Sequence, residues 1–370
     1  MSTGIVTARV TNHKNNGGFP SGSRIEALDA LRQIAAFIVL VQHFFVIFEL
    51  ETPSWMRSGV FDAKAAVTLF FVLSGYVLAL SLRKEPISVR SYINFGIRRI
   101  LRLYPMHCAA TVLAFVVLHW VKNQGGFPRD FETPIEFLKT DDAYQWALQF
   151  TLVMPGMRSS FANPPVWTLM TEAKVAIVFP FIAWAILKMS PKHACVFVAV
   201  LILGSDWSGR HIVGTAALLG QFALGALIAR TPSCMFTTMK RKHWTAWIIL
   251  SLALYSAASF RYWTPNIWVA YYACSFGAAG IIIATLYSEW VHAKLASLQE
   301  LIGVDISYGI YILHFPIMLG LKKVFEQDSL NTLVFAVFVL AVLLTISLSI
   351  ILMHAIERPA IRIGKIVTKR

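Results

Sequence analysis

The sequence predicts an all-α membrane protein, a polytopic bundle of about ten transmembrane helices with both termini in the cytoplasm, and three observations carry that prediction. Of 370 residues, 57% are hydrophobic and 14% charged, with a mean hydropathy of +0.62, a balance foreign to soluble domains. The apolar residues fall in runs of about 17 to 25, the length that a hydrocarbon core roughly 30 Å thick demands. The 33 Lys and Arg residues cluster in the short segments between those runs: with the N-terminus placed inside, 22 fall on the cytoplasmic side and 10 on the other, with Lys174 inside a helix. This positive-inside bias requires an even number of spans. The net charge of +14 is thus a topology signal. It is not a nucleic-acid signal, because no basic region is interleaved with exposed aromatics.

Expected helices begin near Leu28, Ala65, Leu103, Val166, Ala194, Ile212, Trp244, Ile267, Ile306 and Asn331. The run between Lys192 and Ser205 is the shortest, and its loss would break the even count. Residues 1–27, rich in Gly, Asn and Ser and without a secretory signal, are expected to form a disordered cytoplasmic tail. Residues 28–357 form one membrane domain, and residues 358–370 a basic cytoplasmic tail. Within the domain, residues 122–165 form an extracytoplasmic cap punctuated by glycine and proline. Its half-apolar piece Ala143–Met154 is too short to span and is expected to lie in the interface or dip into the protein. No soluble domain is expected at either end. Cys108, Cys195, Cys234 and Cys274 show no paired spacing, so neither a disulfide nor a metal site is expected.

Polar residues inside apolar runs are the candidates for chemistry, since their burial in a bilayer is expensive. In the first run, LDALRQIAAFIVLVQHFF, Asp29, Arg32 and His43 share one helix face. The eleven steps from Arg32 to His43 place them about 16 Å apart along the axis. Taken alone, Asp29 and Arg32 also fit a water interface and His43 a packed histidine. In FFVLSGYVLAL, Ser74 and Gly75 admit a close neighbour, either another helix or a ligand. RRILRLYP clusters Arg98, Arg99 and Arg102 before Pro105. Such a cluster serves topology, lipid headgroups or a phosphorylated ligand, whose oxygens guanidinium groups clamp bidentately. WTLMTEAK brings Trp167, Thr168, Glu172 and Lys174 into a helix start. GVDISYGIYILHFP carries Ser307, Tyr308, Tyr311, His314 and Pro316, and the last run closes on Glu357-Arg358-Pro359.

From Leu28 to Pro359 these segments together resemble the acyltransferase 3 family of integral-membrane O-acyltransferases. The match runs through Leu28, Asp29, Leu31, Arg32, Ala35, Ala36, Val39 and His43; Phe70, Phe71, Ser74, Gly75 and Leu78; Arg98, Arg99, Arg102 and Pro105; Trp167, Thr168, Leu169 and Glu172; and Ser307, Tyr308, Tyr311, His314 and Pro316. Ala30 stands where glycine is usual. The resemblance implies transfer of an acyl group, most often acetyl, from cytoplasmic acyl-CoA to a hydroxyl of a cell-surface or lipid-linked glycan. No bound cofactor is implied, acyl-CoA being a co-substrate.

His43 would then be the general base, a role suited to an imidazole near neutral pH, with Glu172 assisting at the catalytic centre by contacting the acceptor or orienting His43. Arg32, Arg98, Arg99 and Arg102 would bind acyl-CoA. Asp29, Ser74, Trp167, Tyr308, Tyr311 and His314 would line the tunnel. The expected location is a bacterial inner or plasma membrane, with the lipid bilayer, acyl-CoA and a glycan as partners. Oligomeric state is not readable. The competing class is a secondary transporter using His43, Arg32, Glu172 and Lys174 as a relay, or an exporter of an acylated glycan. Two matched halves with interrupted helices, which a transporter would show, are not visible in the sequence.

Overall fold

The computed structural model describes residues 21–57, 59–83, 85–127, 135–139, 142–204, 213–236, 238–257, 259, 267–325 and 327–368. The regular structure among these residues is helical, with no strand. The helices in order are α1 (Ser21–Ile47), α2 (Ser54–Arg57), α3 (Ala63–Arg83), α4 (Val89–Asn123), α5 (Ala143–Gln149), α6 (Val166–Lys188), α7 (Pro191–Gly204), α8 (Val213–Arg230), α9 (Arg241–Ser256), α10 (Ile267–Tyr287), α11 (Glu289–Ile302), α12 (Ser307–Val324), α13 (Gln327–Leu352) and α14 (Arg358–Val367). Each of the ten expected apolar runs is helical. α1 begins at Ser21, ahead of the expected Leu28, while residues 1–20 of the expected tail lie outside the described residues.

Among the described residues, six helices are long and apolar enough to cross a membrane, and a seventh span results if α11 and α12, bent by 60°, count as one. The chain is thus a multi-pass membrane protein, but the expected ten spans are not reached on length. Three fall short among the described residues: α7 and α9 have 14 and 16 residues, which makes them only about 21 and 24 Å long, and in α8 the apolar stretch that counts is Leu218–Arg230.

α11 was not expected as a helix, because EWVHAKLASLQELI mixes polar and apolar residues. It packs against α1, where Gln33 donates its side-chain amide to Gln299. Gly303 ends it with φ of 79°, a left-handed cap that suits glycine and turns the chain into α12.

The tightest helix crossing joins α3 to α8. A Cβ on Gly225 would sit 2.0 Å from the Val72 carbonyl oxygen, and one on Gly75 would sit 2.1 Å from that of Phe222. Only glycine lets these backbones meet, which is the packing sense of the Ser-Gly pair read in α3. α3 is thereby locked in place beside α6, and α1, α4 and α12 complete the wall around the site.

Beyond α13, a π-helical turn over Met353–Glu357 leads into α14, which packs along α4 with Gly364 against Leu101. The expected basic tail is therefore helical as far as Val367. It exposes Ile363, Ile366 and Val367, the pattern of an amphipathic interfacial helix.

The expected cap is folded where it is described. α5 and two 3₁₀ turns, Glu136–Leu138 and Ser159–Phe161, bring Phe137, Trp146 and Phe161 into one edge-on aromatic cluster. Buried Gln145 and Gln149 donate to the Gly156 and Arg158 carbonyls, which stiffens the segment where regular backbone bonding is absent.

Candidate functional site

Motifs from five separate stretches of sequence converge on one pocket of about 290 Å³ between α1, α3, α4, α6, α12 and α14. Its cationic wall consists of Arg32, Arg98, Arg99, Arg102 and Lys365. The rest of the lining is largely apolar, with Phe70, Phe71, Val77, Leu78 and Leu169, and Ser74, Thr168, Tyr308 and Tyr311 add hydroxyls. A long molecule with an anionic end and a slender body fits such a division better than a small ion does.

Three of these cations are held by carboxylates. Arg32 Nη1 lies 3.1 Å from Asp29, one helical turn away, and 3.6 Å from Asp305. Asp305 in turn accepts bonds from the Ser307 backbone N–H and hydroxyl at 3.0 and 2.6 Å, so it opens α12 and steadies Arg32 together. Arg98 pairs with Glu85 at 3.7 Å. Arg99 forms an ion pair with Glu172, which also accepts from the Ser74 hydroxyl at 3.2 Å. The Arg99 Nε is buried with no hydrogen-bond partner among the described residues. Tyr308 donates its phenol to the Leu103 carbonyl at 2.7 Å, tying α12 to α4 beside this wall.

At the other end of the lining, the Thr168 hydroxyl lies 3.0 Å from that of Tyr311. The Tyr311 ring lies 5.6 Å from Phe70 and 6.3 Å from His314, centroid to centroid. The two imidazoles lie next to this end. His43 Nδ1 and His314 Nε2 are 2.8 Å apart, their rings edge to edge and within 16° of parallel, and the Phe315 ring stands edge-on to His43 at 5.6 Å. His314 is wholly buried.

The lining therefore includes Arg32, Arg98, Arg99, Arg102, Ser74, Glu172, Tyr308 and Tyr311 among the expected site residues. Asp29, Trp167, His43 and His314 stand behind or beside it. Asp29 backs Arg32, and Trp167 is 42% exposed on the flank of α6 with its ring 6.1 Å from Phe71. Glu172 is held in the arginine wall by Arg99 and Ser74, and the neighbour of His43 is His314. The cause is tertiary: α3, α4 and α12 present those partners, and no local spacing reports them.

Three participants went unread in the sequence. Lys365 was counted as tail charge, although α14 carries it to the pocket. Asp305 had a signal, since an acidic residue two before a helix-opening serine is a local capping pattern. Asn163 ends the cap and donates its amide to the Ile312 carbonyl at 3.0 Å. Pro316, four residues further along α12, has no N–H to offer that carbonyl. Asn163 thus repairs the gap that the proline makes, in the turn that carries His314. Among the described residues, no group of three or more His, Cys, Asp or Glu side chains is placed to hold a metal ion.

A family model described as an acyltransferase domain matches residues 25–354, nearly the whole chain. The chain belongs to this acyltransferase 3 family and is an acyltransferase. Its relatives are O-acetyltransferases. It is 24% identical to an O-acetyl transferase of Shigella phage Sf6 over 323 residues, 82% of this chain and 86% of that one. It is 22% identical to O-acetyltransferase OatA of Staphylococcus aureus (strain NCTC 8325 / PS 47), covering 90% of this chain and 57% of the relative. With the putative peptidoglycan O-acetyltransferase YrhL of Bacillus subtilis (strain 168) it shares 26% identity, over 90% of this chain and 54% of the relative. The chain therefore spans little more than half the length of the last two. No solved structure matches it.

Proposed function

We propose that this protein moves an acetyl group from acetyl-CoA to a hydroxyl of a cell-surface or lipid-linked glycan at a bacterial cell membrane, with both termini cytoplasmic. The observation that carries the reading is the joining of a five-cation wall, Arg32, Arg98, Arg99, Arg102 and Lys365, to an apolar slot that ends beside the His43–His314 pair. Phosphates of CoA are the natural partners of such a wall, because guanidinium groups match their oxygens in charge and geometry. The pantetheine arm then runs along Phe70, Phe71 and Leu78 toward the imidazoles, and the rise of α1 between Arg32 and His43, about 16 Å, suits its length. The names of the relatives support acetyl as the group, and that of YrhL, a putative peptidoglycan O-acetyltransferase, supports a glycan polymer as the acceptor class.

In the reaction, the His43 imidazole takes the proton of the acceptor hydroxyl as its oxygen attacks the thioester carbonyl carbon. The tetrahedral intermediate collapses with cleavage of the C–S bond. The departing sulfur receives the proton from His43, leaving an ester, free CoA and a neutral imidazole. Glu172 has the part of holding Arg99 against the pocket, and Asp29 and Asp305 that of aiming Arg32.

The test is equilibrium binding of acetyl-CoA compared with S-acetylpantetheine, which keeps the thioester but lacks the nucleotide phosphates. The proposal expects acetyl-CoA to bind at least an order of magnitude more tightly, with an advantage that shrinks as salt rises. Equal affinities would refute the assignment of the cationic wall.

A further inference from the structure

We propose that His314 is a positioning residue that holds His43 in a single tautomer, with its proton on Nδ1 and its lone pair on Nε2, so that Nε2 is the basic atom of the transfer. The inference rests on the proposed acetyl transfer. Its ground is a hydrogen-bond chain that can run in only one direction. His314 Nδ1 lies 2.9 Å from the Ile310 carbonyl, one turn back on α12. A carbonyl only accepts, so Nδ1 carries the proton. A neutral imidazole has one N–H, which leaves the His314 Nε2 with a lone pair. That atom lies 2.8 Å from His43 Nδ1. His43 must therefore be the donor there, and its own lone pair is on Nε2.

The surroundings hold both rings in this relation. His314 is wholly buried, its ring meets that of His43 edge to edge and nearly coplanar with centroids 5.0 Å apart, the geometry of an in-plane N–H···N bond, and Phe315 closes on His43 from the edge. The backbone beneath them is pinned where Pro316 has weakened it, by the Asn163 amide on the Ile312 carbonyl. Without His314 as acceptor, the His43 proton would be free to sit on either nitrogen, and molecules carrying it on Nε2 would have no base to offer.

During transfer, His43 Nε2 takes the hydroxyl proton and the ring becomes an imidazolium, whose Nδ1–H still donates to His314. The new charge is met by the aligned dipoles of the His314 ring and the Ile310 carbonyl. The proton then leaves from Nε2 to the CoA sulfur. His314 neither gains nor loses one. A neutral orienting partner also avoids burying the anion that a carboxylate in this position would bring into the membrane.

The test compares His314→Gln with His314→Leu in purified full-length protein, measuring labelled acetyl transfer from acetyl-CoA to isolated envelope glycans together with thermal unfolding. Glutamine places a carbonyl oxygen near the position of Nε2 and keeps the acceptor, whereas leucine fills the buried space without one. Glutamine is expected to retain most of the wild-type kcat. Leucine is expected to lower kcat on the order of 10- to 100-fold, with KM for acetyl-CoA unchanged and the unfolding temperature lowered by only a few degrees, since His43 loses a buried partner. If the leucine protein does not accumulate, His314→Asn replaces it, since its amide is too short to reach His43 and the same loss of kcat is expected. Equal activity of the glutamine and leucine or asparagine proteins, or a loss that appears in KM, overturns the inference. Failure of the wild type to transfer label overturns the acetyl-transfer reading, and the inference with it.

Discussion

Glu172→Gln removes the counter-charge of a guanidinium that has few alternatives. The Arg99 side chain is only 10% exposed, its Nε has no hydrogen-bond partner among the described residues, and it shares the pocket wall with Arg32, Arg98 and Arg102. Breaking a buried ion pair by neutralising one member costs about 3–5 kcal/mol. The 19% exposure of Glu172 and the opening of the pocket to solvent place this case at the low end, about 3 kcal/mol. That corresponds to a fall of roughly 5 °C in unfolding temperature for a chain of this size. The double variant Arg99→Gln, Glu172→Gln removes both charges and is expected to recover most of that loss. Acetyl-CoA binding is expected to behave oppositely: unchanged or tighter in Glu172→Gln, and several-fold weaker in the double variant, which has lost a phosphate partner. Thermal unfolding in detergent and KM for acetyl-CoA measure the two effects separately. A double variant as unstable as the single one, or one that binds acetyl-CoA as well as the wild type does, would refute the reasoning.

Lys365→Ala is expected to raise KM for acetyl-CoA by a few-fold and leave kcat unchanged, because an exposed ammonium at the pocket edge adds attraction without touching the reacting atoms; steady-state kinetics at low salt read this out, and a change confined to kcat would contradict it. Asn163→Ala strands the Ile312 carbonyl, a loss of about 1–3 kcal/mol in stability. It should also lower kcat, because the freed turn of α12 carries His314, whereas an unfolding temperature equal to that of the wild type would remove Asn163 from this role.

The sequence was most legible where chemistry and helix period coincide. Arg32 and His43 announce themselves as polar residues on one face of an apolar run, and the ordered motifs pointed to the residues that line the pocket from α3, α4, α6 and α12. Charge and hydropathy also identified every apolar helix. Their count of ten exceeds the six or seven spans that length supports, because an apolar run stops looking different from a membrane crossing once it exceeds about a dozen residues, and α7, α8 and α9 fall in that gap. α11 was missed for the opposite reason, since charged residues that stay exposed, Glu289, Lys294 and Glu300, interrupt its apolar positions and leave no apolar run to see. Partners across helices were beyond reach. The pairings of Glu172 with Arg99 and of His43 with His314 join residues 73 and 271 positions apart, and nothing local encodes them. Lys365 was hidden because a basic residue after the last span satisfies the topology rule and so raises no question.

The measurement that tests the account most directly is transfer of labelled acetate from acetyl-CoA into base-labile esters of an envelope glycan fraction, by membranes carrying the wild type or His43→Ala at matched expression. The account predicts transfer by the wild type and a loss of about 10²- to 10⁴-fold in the variant, the usual contribution of a positioned general base. Equal transfer by both proteins would contradict it.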